Sequence, residues 1–360
     1  MTGQGQPDQA LTETQSRQDM AGVHEPLPAL GRRIRNALLF LVPTLVAGVV
    51  LTVRVSGVRA TWNSLVWPAV AGLVGLTGVK WLVDASRFRE IVRVCGGGVS
   101  FWRGLEIFLA SIFGSNITPL YVGGIATQVY FLSEFALGAG RSAAIGSIYA
   151  LLNLVVNALF SLAILGSPSL VTATRRSSAL VGTALVMFLV TVVAVLAVRF
   201  RAGVERAVRR ALRTRPAAVE RVVSGLDDFY DGFRLFAKSG PALVVRVLLL
   251  SLLSQVLSLM YAPLAFRVLG ISDTPAWQLL LTQAGVQFTN SVGVTPGGIG
   301  IIDGAFALFF GPFAQEQTAA VTLVWRAWTY YIPTITGAAF FFVLLRRQPA
   351  DIPSGEQRHT

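Results

Sequence analysis

A short phrase occurs twice in this chain, each time in the middle of a long uncharged stretch. The first copy is Asn116-Ile117-Thr118-Pro119, followed by Gly123-Gly124, and the second is Thr295-Pro296-Gly297-Gly298-Ile299-Gly300, which follows Asn290. Proline and paired glycines break helices. After each break we expect a helix whose first N–H groups are unpaired and whose dipole is positive at that end. Two such ends facing each other in a membrane would bind an anion such as a phospholipid phosphate, and glycine would let the headgroup approach the backbone.

We therefore predict a lipid-headgroup site built from the two phrases and from polar residues next to them in the sequence. Each of its residues lies at a helix break or on an apolar segment next to a helix break. They are Thr118, Pro119, Gly123, Gly124, Gln287, Asn290, Thr295, Pro296, Gly297, Gly298, Asp303 and Arg326.

Asp303 and Arg326 are charged residues inside apolar segments. Asp303 lies less than two turns past the second break, and Arg326 lies within the last apolar segment. Because an unpaired charge in lipid is costly, we expect the two to form an ion pair. The pair would be structural, or the arginine would face a lipid phosphate, and the sequence leaves both open.

Uncharged polar residues form two stripes at helical spacing. One leads to the second break, and the other lies on the segment after the first; the residues are Gln283, Gln287 and Asn290, then Tyr149, Asn153, Asn157 and Ser161. Interhelical hydrogen bonding and the lining of a polar path for a headgroup are alternative interpretations.

Among the remaining residues that could take part in catalysis or metal binding, we predict no catalytic residue, metal site or cofactor site. The two histidines, His24 and His359, lie in polar tails, and Cys95 is the single cysteine. Glu106 is either a buried site carboxylate or a partner of Arg103 one turn earlier. We expect Glu134 to lie at the cytoplasmic end of its segment, in contact with water.

Composition indicates a multi-pass membrane protein. Hydrophobic residues make up 53% of the chain, charged residues 13%, and the mean hydropathy is +0.62. Several stretches lack charge over a spanning length of roughly 20 residues. They are Ala60–Val79, Ser142–Thr174, Ser177–Val198, Val247–Phe266 and Thr274–Ile302, with a shorter one at Asn36–Val53. Residues 1–31 and 348–360 are expected to be disordered cytoplasmic tails around a transmembrane domain at 32–347.

Charge patterning predicts the topology. The net charge is +12, and arginines concentrate in the connector 199–240, so the positive-inside rule places that connector, Lys80–Arg103 and both termini in the cytoplasm. Segments 104–140 and 274–312 must then each return to their own side, and the first is too short for two crossings. We predict an all-α polytopic bundle of six full spans plus two broken hairpins, re-entrant from opposite sides.

Two features of this topology have alternatives. Each broken segment could be one kinked span, although this would place the arginine-rich connector outside. Within the connector, Val219, Phe229 and Phe236 belong to an apolar helical pattern, which predicts an amphipathic helix on the membrane or against the bundle. Its arginines could also attract anionic lipids.

At these residues the chain resembles the lysylphosphatidylglycerol synthase transmembrane, or flippase-like, family. The resemblance runs from about Asn36 to Arg347 and is most specific at Thr295–Ala305, with Asp303 at the family's acidic position and Arg326 at its arginine. The first copy also matches. In many members an acidic residue follows the first glycine pair and a basic residue comes three later, where this chain has Ile125 and Gln128.

The resemblance implies a protein of the plasma membrane that moves an anionic or modified polar lipid between leaflets. The soluble aminoacyl-transfer domain of the lipid-modifying members has no counterpart in this sequence, so we expect a transporter, not an enzyme. Expected partners are membrane lipids, above all anionic phospholipid, and not nucleic acid. The alternatives are a non-catalytic partner of a separate envelope lipid or glycan enzyme, and an intramembrane transferase.

Overall fold

The computed structural model describes residues 65–135, 137–165, 200–211, 216–290 and 295–347, with single positions between 185 and 192 and at 213. The predicted first span, the predicted span 177–198 and both predicted tails lie outside these residues.

Twelve α-helices carry the described part of the chain, in which no strand occurs. They are α1 Trp67–Val94, α2 Phe101–Asn116, α3 Val122–Leu132, α4 Ala139–Leu165, α5 Arg201–Ala211, α6 Pro216–Lys238, α7 Pro241–Leu259, α8 Tyr261–Val268, α9 Ala276–Asn290, α10 Ile301–Ala314, α11 Thr318–Arg326 and α12 Ile332–Arg347. Among the described residues, four helical stretches are long and apolar enough to cross a membrane: Trp67–Val94, Ala139–Phe160, Pro241–Val268 and Pro296–Arg347. The predicted all-α membrane fold is confirmed, whereas the span count and the re-entry of the hairpins stay predictions.

Helix α1 is longer than the sequence predicts. The sequence predicts a cytoplasmic segment Lys80–Arg103 after the uncharged stretch that ends at Val79, whereas α1 continues without a break to Val94. Its charged residues Asp84, Arg87 and Glu90 are buried, and each has an oppositely charged neighbour. Paired charges do not end a helix, so α1 stops only at Gly96, whose φ of +91° suits a glycine helix terminus.

The first broken segment forms a helical hairpin. Its arms are α2 and α3, and a 3₁₀ turn at Pro119–Tyr121 forms its tip. The arms approach closely because Gly114 and Gly123 face each other: a Cβ on Gly123 would lie 2.3 Å from the carbonyl oxygen of Gly114. Helix α12 packs on α2, where a Cβ on Gly337 would lie 2.5 Å from the carbonyl oxygen of Leu109.

The second broken segment also forms a helical hairpin. Its arms α9 and α10 pack together, and a 3₁₀ turn at Pro296–Gly298 forms its tip. The two tips contact each other. One hydrophobic cluster surrounds each hairpin, and stacked rings of Phe306, Phe310 and Trp325 fix α10 against α11.

The last span is interrupted by a π-helical turn. Residues Ala327–Tyr331 form this turn between α11 and α12, so helical structure continues from Thr318 to Arg347. π-Turns inside α-helices are frequent at functional sites. This one brings Arg326 and Tyr330 to the second tip.

The connector contains the predicted amphipathic helix. Helix α6 packs against α4, where a Cβ on Gly140 would lie 2.0 Å from the carbonyl oxygen of Gly225. At the end of α1, Cys95 is buried, and its thiol lies 3.8 Å from the carbonyl oxygen of Gly232. Of the two predicted placements, the helix therefore takes the one against the bundle.

Candidate functional site

The two tips meet at one cavity of about 470 Å³. Leu120 and Tyr121 of the first tip and Gly297 of the second line it, together with residues of α1, α4, α9 and the last span. Two segments that are far apart in sequence thus line the same cavity.

Arg326 holds the second tip together. Its Nε donates to Oδ1 of Asp303 at 2.5 Å, so the expected ion pair is confirmed. Its two terminal nitrogens donate to the carbonyl oxygens of Gly297 and Gly298 at 3.2 and 3.3 Å. With only 5% of its side chain exposed, Arg326 acts structurally here: it binds a carboxylate and two backbone carbonyls that the helix break leaves without helical partners.

Asp303 caps α10. Its Oδ2 accepts a hydrogen bond from the backbone N–H of Gly300 at 2.8 Å, which places a negative charge at the positive end of the helix. The expectation that the first N–H groups at this break are unpaired is therefore wrong for Gly300. The protein's own carboxylate already compensates this helix end.

The first tip is closed by Thr118. Its hydroxyl accepts from the N–H of Gly123 at 2.8 Å and lies 3.0 Å from the carbonyl oxygen of Gly114, to which it donates. The expectation of unpaired N–H groups is thus wrong for Gly123 as well. Leu120 and Tyr121 have φ values of +54° and +58°, a left-handed backbone conformation that residues other than glycine rarely adopt.

The paired glycines are required by packing. A Cβ on Gly124 would lie 2.0 Å from the Ser115 hydroxyl oxygen, and one on Gly297 would lie 2.1 Å from the ring of Tyr330. Gly297 and Gly298 also have φ values of +59° and +65°. These glycines allow the protein to pack on itself, and a role in headgroup approach stays a prediction.

A buried charged cluster on α1 is the part of the site that the sequence reasoning missed. Lys80 donates to Asp84 at 2.5 Å, and Arg87 lies 3.5 Å from the same carboxylate. Lys80 and Asp84 line the cavity. Their spacing of four and then three residues puts all three on one helix face, which is a signal present in the sequence, but charge counting assigned them to a cytoplasmic loop.

The polar stripe on α4 makes interhelical hydrogen bonds, and its role in a headgroup path stays a prediction. The Tyr149 hydroxyl donates to Asp84 at 3.0 Å, and the Asn153 oxygen accepts from Arg87 at 2.8 Å, so both bond between helices. Both also line the cavity. Asn157 is buried, and the side chain of Ser161 lies outside the described residues.

The polar residues of the stripe on α9 have different surroundings. Gln287 lines the cavity, whereas the buried amide of Gln283 has no hydrogen-bond partner in the described part of the chain. Asn290 ends α9, and its side chain lies outside the described residues.

Both candidate carboxylates of the first hairpin belong to an ion-pair group away from the cavity. Arg103 donates to Glu106 at 3.1 Å and to Glu134 at 2.7 Å, and Arg347 donates to Glu106 at 2.8 Å. Of the two interpretations of Glu106, pairing with Arg103 is the one that the structure shows.

Comparison with known proteins assigns the family. Residues 37–337 match the profile of the family described as the lysylphosphatidylglycerol synthase TM region, which covers most of the chain. The chain belongs to this family. The match confirms the resemblance seen at the second tip and in the last span, and it includes both hairpins.

Two archaeal relatives are membrane proteins of the UPF0104 group. One, from Methanocaldococcus jannaschii, is 22% identical over 74% of this chain and 81% of its own length. Another, from Archaeoglobus fulgidus, is 36% identical over 24% of each chain. No solved structure matches the chain. The relatives agree with the family in making this a membrane protein.

Proposed function

We propose that this protein binds an anionic or modified polar lipid by its headgroup in the cavity between the two tips and moves it between leaflets, without catalysing a reaction. The observation that carries the proposal is the meeting of two broken hairpins at one cavity. In transporters with inverted repeats, the substrate site lies where the broken helices of the two halves meet.

The cavity suits a headgroup in size and charge. Its volume of about 470 Å³ is in the range of pockets for small ligands. Among the described residues that line it, the charged ones are Lys80, Arg326 and Asp84. With Arg87 and Asp303 added as direct partners, three cations face two carboxylates, so one positive charge remains in excess. This excess favours an anion.

In this proposal the predicted site residues have two roles. The residues that shape the two tips are Thr118, Pro119, Gly123, Gly124, Thr295, Pro296, Gly298, Asp303 and Arg326. Gly297 and Gln287, which line the cavity, contact the headgroup. Asn290, whose side chain lies outside the described residues, stays a predicted site residue. The protein lies in the plasma membrane with both termini in the cytoplasm, and its partners are membrane lipids, chiefly anionic phospholipid.

A second candidate is a non-catalytic membrane partner of an enzyme that modifies envelope lipid or glycan. It is favoured by the connector, where α5 carries Arg201, Arg206, Arg209 and Arg210 next to the amphipathic α6. Such a basic surface would suit an acidic partner protein or an anionic membrane surface.

Leaflet exchange in reconstituted vesicles separates the two candidates. Fluorescent phosphatidylglycerol and phosphatidylcholine are placed in vesicles with and without the protein, and a membrane-impermeant quencher measures how much label reaches the outer leaflet. The proposal expects faster exchange of the anionic lipid only with protein present. Exchange at the rate of protein-free vesicles would contradict transport and favour the partner role.

A further inference from the structure

We infer that Lys80 is the cation that binds the anionic group of the ligand, and that this ligand is a phosphodiester which also carries a hydrogen-bond donor. The inference rests on the proposed function in taking the cavity between the tips as the ligand site. Three observations lead to it: which cation is available, how its counter-ion is held, and which polar atoms of the cavity wall lack partners.

Lys80 is the cavity cation whose side chain is least restrained. Arg326 is held by Asp303 and two tip carbonyls. Arg87 is fully buried, donates to Asn153 and lies with its guanidinium carbon 3.7 Å from the ring centre of Tyr149. The side chain of Lys80 is 21% exposed and lines the cavity. Its ammonium donates to Asp84 at 2.5 Å and to the Ser254 hydroxyl at 3.3 Å, and because an ammonium has three N–H donors, one remains for a ligand.

The two carboxylate oxygens of Asp84 have different partners, and Lys80 is bonded to Oδ2. The Oδ1 atom accepts from the Ser254 hydroxyl at 2.7 Å and from the Tyr149 hydroxyl at 3.0 Å, and Arg87 lies 3.5 Å away. A buried carboxylate left without a partner would be strongly destabilising. Here two hydroxyls and a guanidinium stabilise Oδ1 while Lys80 bonds to Oδ2, so an incoming anion can share Lys80 with Asp84.

Among the described residues, three buried polar atoms of the cavity wall lack a hydrogen-bond partner: the indole nitrogen of Trp325 and two atoms that complete the chemistry. The Tyr330 hydroxyl and the Gln128 side-chain oxygen have no hydrogen-bond partner among the residues that the structure describes, and both residues are more than nine-tenths buried. Buried polar groups without partners are rare, because each costs free energy. Tyr330 can donate to an anionic oxygen, whereas Gln128 needs a donor from the ligand. A phosphodiester with a hydroxyl or ammonium group supplies both.

Binding to the purified protein in detergent tests the inference without requiring transport. The probes are dihexanoyl-phosphatidylglycerol, which has a phosphodiester and hydroxyl donors, dihexanoyl-phosphatidylcholine, which lacks a donor, and glycerol 3-phosphate, a soluble phosphate. The fluorescence of Trp81, Trp325 and Trp328, which line the cavity, reports occupancy. The variants are Lys80→Met, Lys80→Arg and, as matched control, Lys238→Met at the chain's other lysine, which is exposed at the end of α6.

We expect Lys80→Met to weaken phosphatidylglycerol binding about tenfold or more, the loss of one charge-assisted contact. Lys80→Arg should stay within about threefold of wild type, and Lys238→Met should match it. Phosphatidylcholine should bind more weakly, because it brings no donor to the Gln128 oxygen, and its remaining affinity should also fall in Lys80→Met, because it carries the same phosphodiester. Equal phosphatidylglycerol affinity in wild type and Lys80→Met, or no binding by wild type, would overturn the inference. If glycerol 3-phosphate binds and the binding depends on Lys80, the anion site also accepts a soluble phosphate. If glycerol 3-phosphate does not bind, the anion that the site takes belongs to a lipid.

A second measurement covers the case in which Lys80→Met does not fold. Acylation of the two lysines of wild type with an amine reagent, followed by mass spectrometry, gives the reactivity of each. Phosphatidylglycerol should slow modification of Lys80 several-fold and leave Lys238 unchanged. Equal rates at Lys80 with and without lipid would overturn the inference. Lys80-dependent binding without leaflet exchange would refute transport and keep the site.

Discussion

Arg326 and Asp303 are joined by a 2.5 Å hydrogen bond that also fixes the second tip, because the same guanidinium contacts the carbonyls of Gly297 and Gly298. The same carboxylate caps Gly300 at the start of α10. One ion pair thus connects the last span, the tip and the returning helix arm. Its two members are unequally enclosed, since the side chain of Asp303 is 27% exposed and that of Arg326 is 5% exposed.

This inequality predicts an order of stability losses. Asp303→Ala leaves a buried guanidinium unpaired and removes the cap of α10, which should cost about 3–5 kcal/mol. Arg326→Ala leaves a carboxylate that is partly exposed and still bonded to Gly300, so we expect a smaller loss of about 2 kcal/mol, discounted for that exposure. Thermal unfolding in detergent measures both.

The double variant Asp303→Ala/Arg326→Ala should be milder than Asp303→Ala alone, because no unpaired charge remains. Additive losses, or an Arg326→Ala protein as stable as wild type, would refute the structural role of the pair.

The second tip should be intolerant of any side chain at Gly298. Its φ is +65°, and a Cβ would lie 2.0 Å from the Ile302 side chain, so Gly298→Ala should destabilise by about 2 kcal/mol or more. A Cβ added to Gly304, which lies on α10, would have no atom within 4 Å apart from its chain neighbours and the backbone of its own helix. Gly304→Ala should therefore be neutral or stabilising by up to about 1 kcal/mol. A side chain at Gly298 should therefore disturb folding as well as any approach of a headgroup to the tip. Matching melting temperatures for the two variants would show that the tip conformation is not needed.

Cysteine labelling can test the topology in the wild-type background. Cys95 is buried, and burial raises the pKa of its thiol to about 11, so the unreactive thiol form predominates at neutral pH. We expect little maleimide labelling of wild type at pH 7.5, with reactivity rising as the pH approaches the pKa. Arg209→Cys should label from the cytoplasmic side alone, and a cysteine at Ser169, outside the described residues, from the other. Labelling of Arg209→Cys from outside would overturn the re-entrant arrangement.

Glu106 should matter little, in contrast to Asp303. It is paired with Arg103 and Arg347 in a partly exposed group away from the cavity, and such pairs contribute up to about 1 kcal/mol. Glu106→Gln should therefore shift unfolding slightly and leave lipid exchange unchanged. A large loss of exchange with normal stability would return Glu106 to the site.

The sequence predicted those features that depend on local chemistry. The Pro and Gly phrases mark the two tips, since broken helices need these residue types, and the isolated charges of Asp303 and Arg326 predicted their pairing. The amphipathic pattern of the connector predicted α6. Each of these follows from a cost that the chain must avoid locally.

The cluster at Lys80, Asp84 and Arg87 could not be placed by the same reasoning. Charge counting treats a basic stretch as a cytoplasmic loop, whereas here a carboxylate between two cations on one helix face allows burial. Recognising this required the partners on other helices, Tyr149, Ser254 and Asn153. Likewise, the capping of Gly123 and Gly300 depends on side-chain geometry that spacing alone does not determine.

Blocking the cavity tests the central claim most directly. Ala150 is an exposed residue of α4 that lines the cavity, and Leu159, on the same helix, is exposed and does not line it. Leaflet exchange of fluorescent phosphatidylglycerol would be compared for wild type, Ala150→Trp and Leu159→Trp at equal reconstitution. We expect Ala150→Trp to slow exchange at least about tenfold and Leu159→Trp to match wild type. Exchange by Ala150→Trp at the wild-type rate would contradict passage of the headgroup through the cavity between the tips.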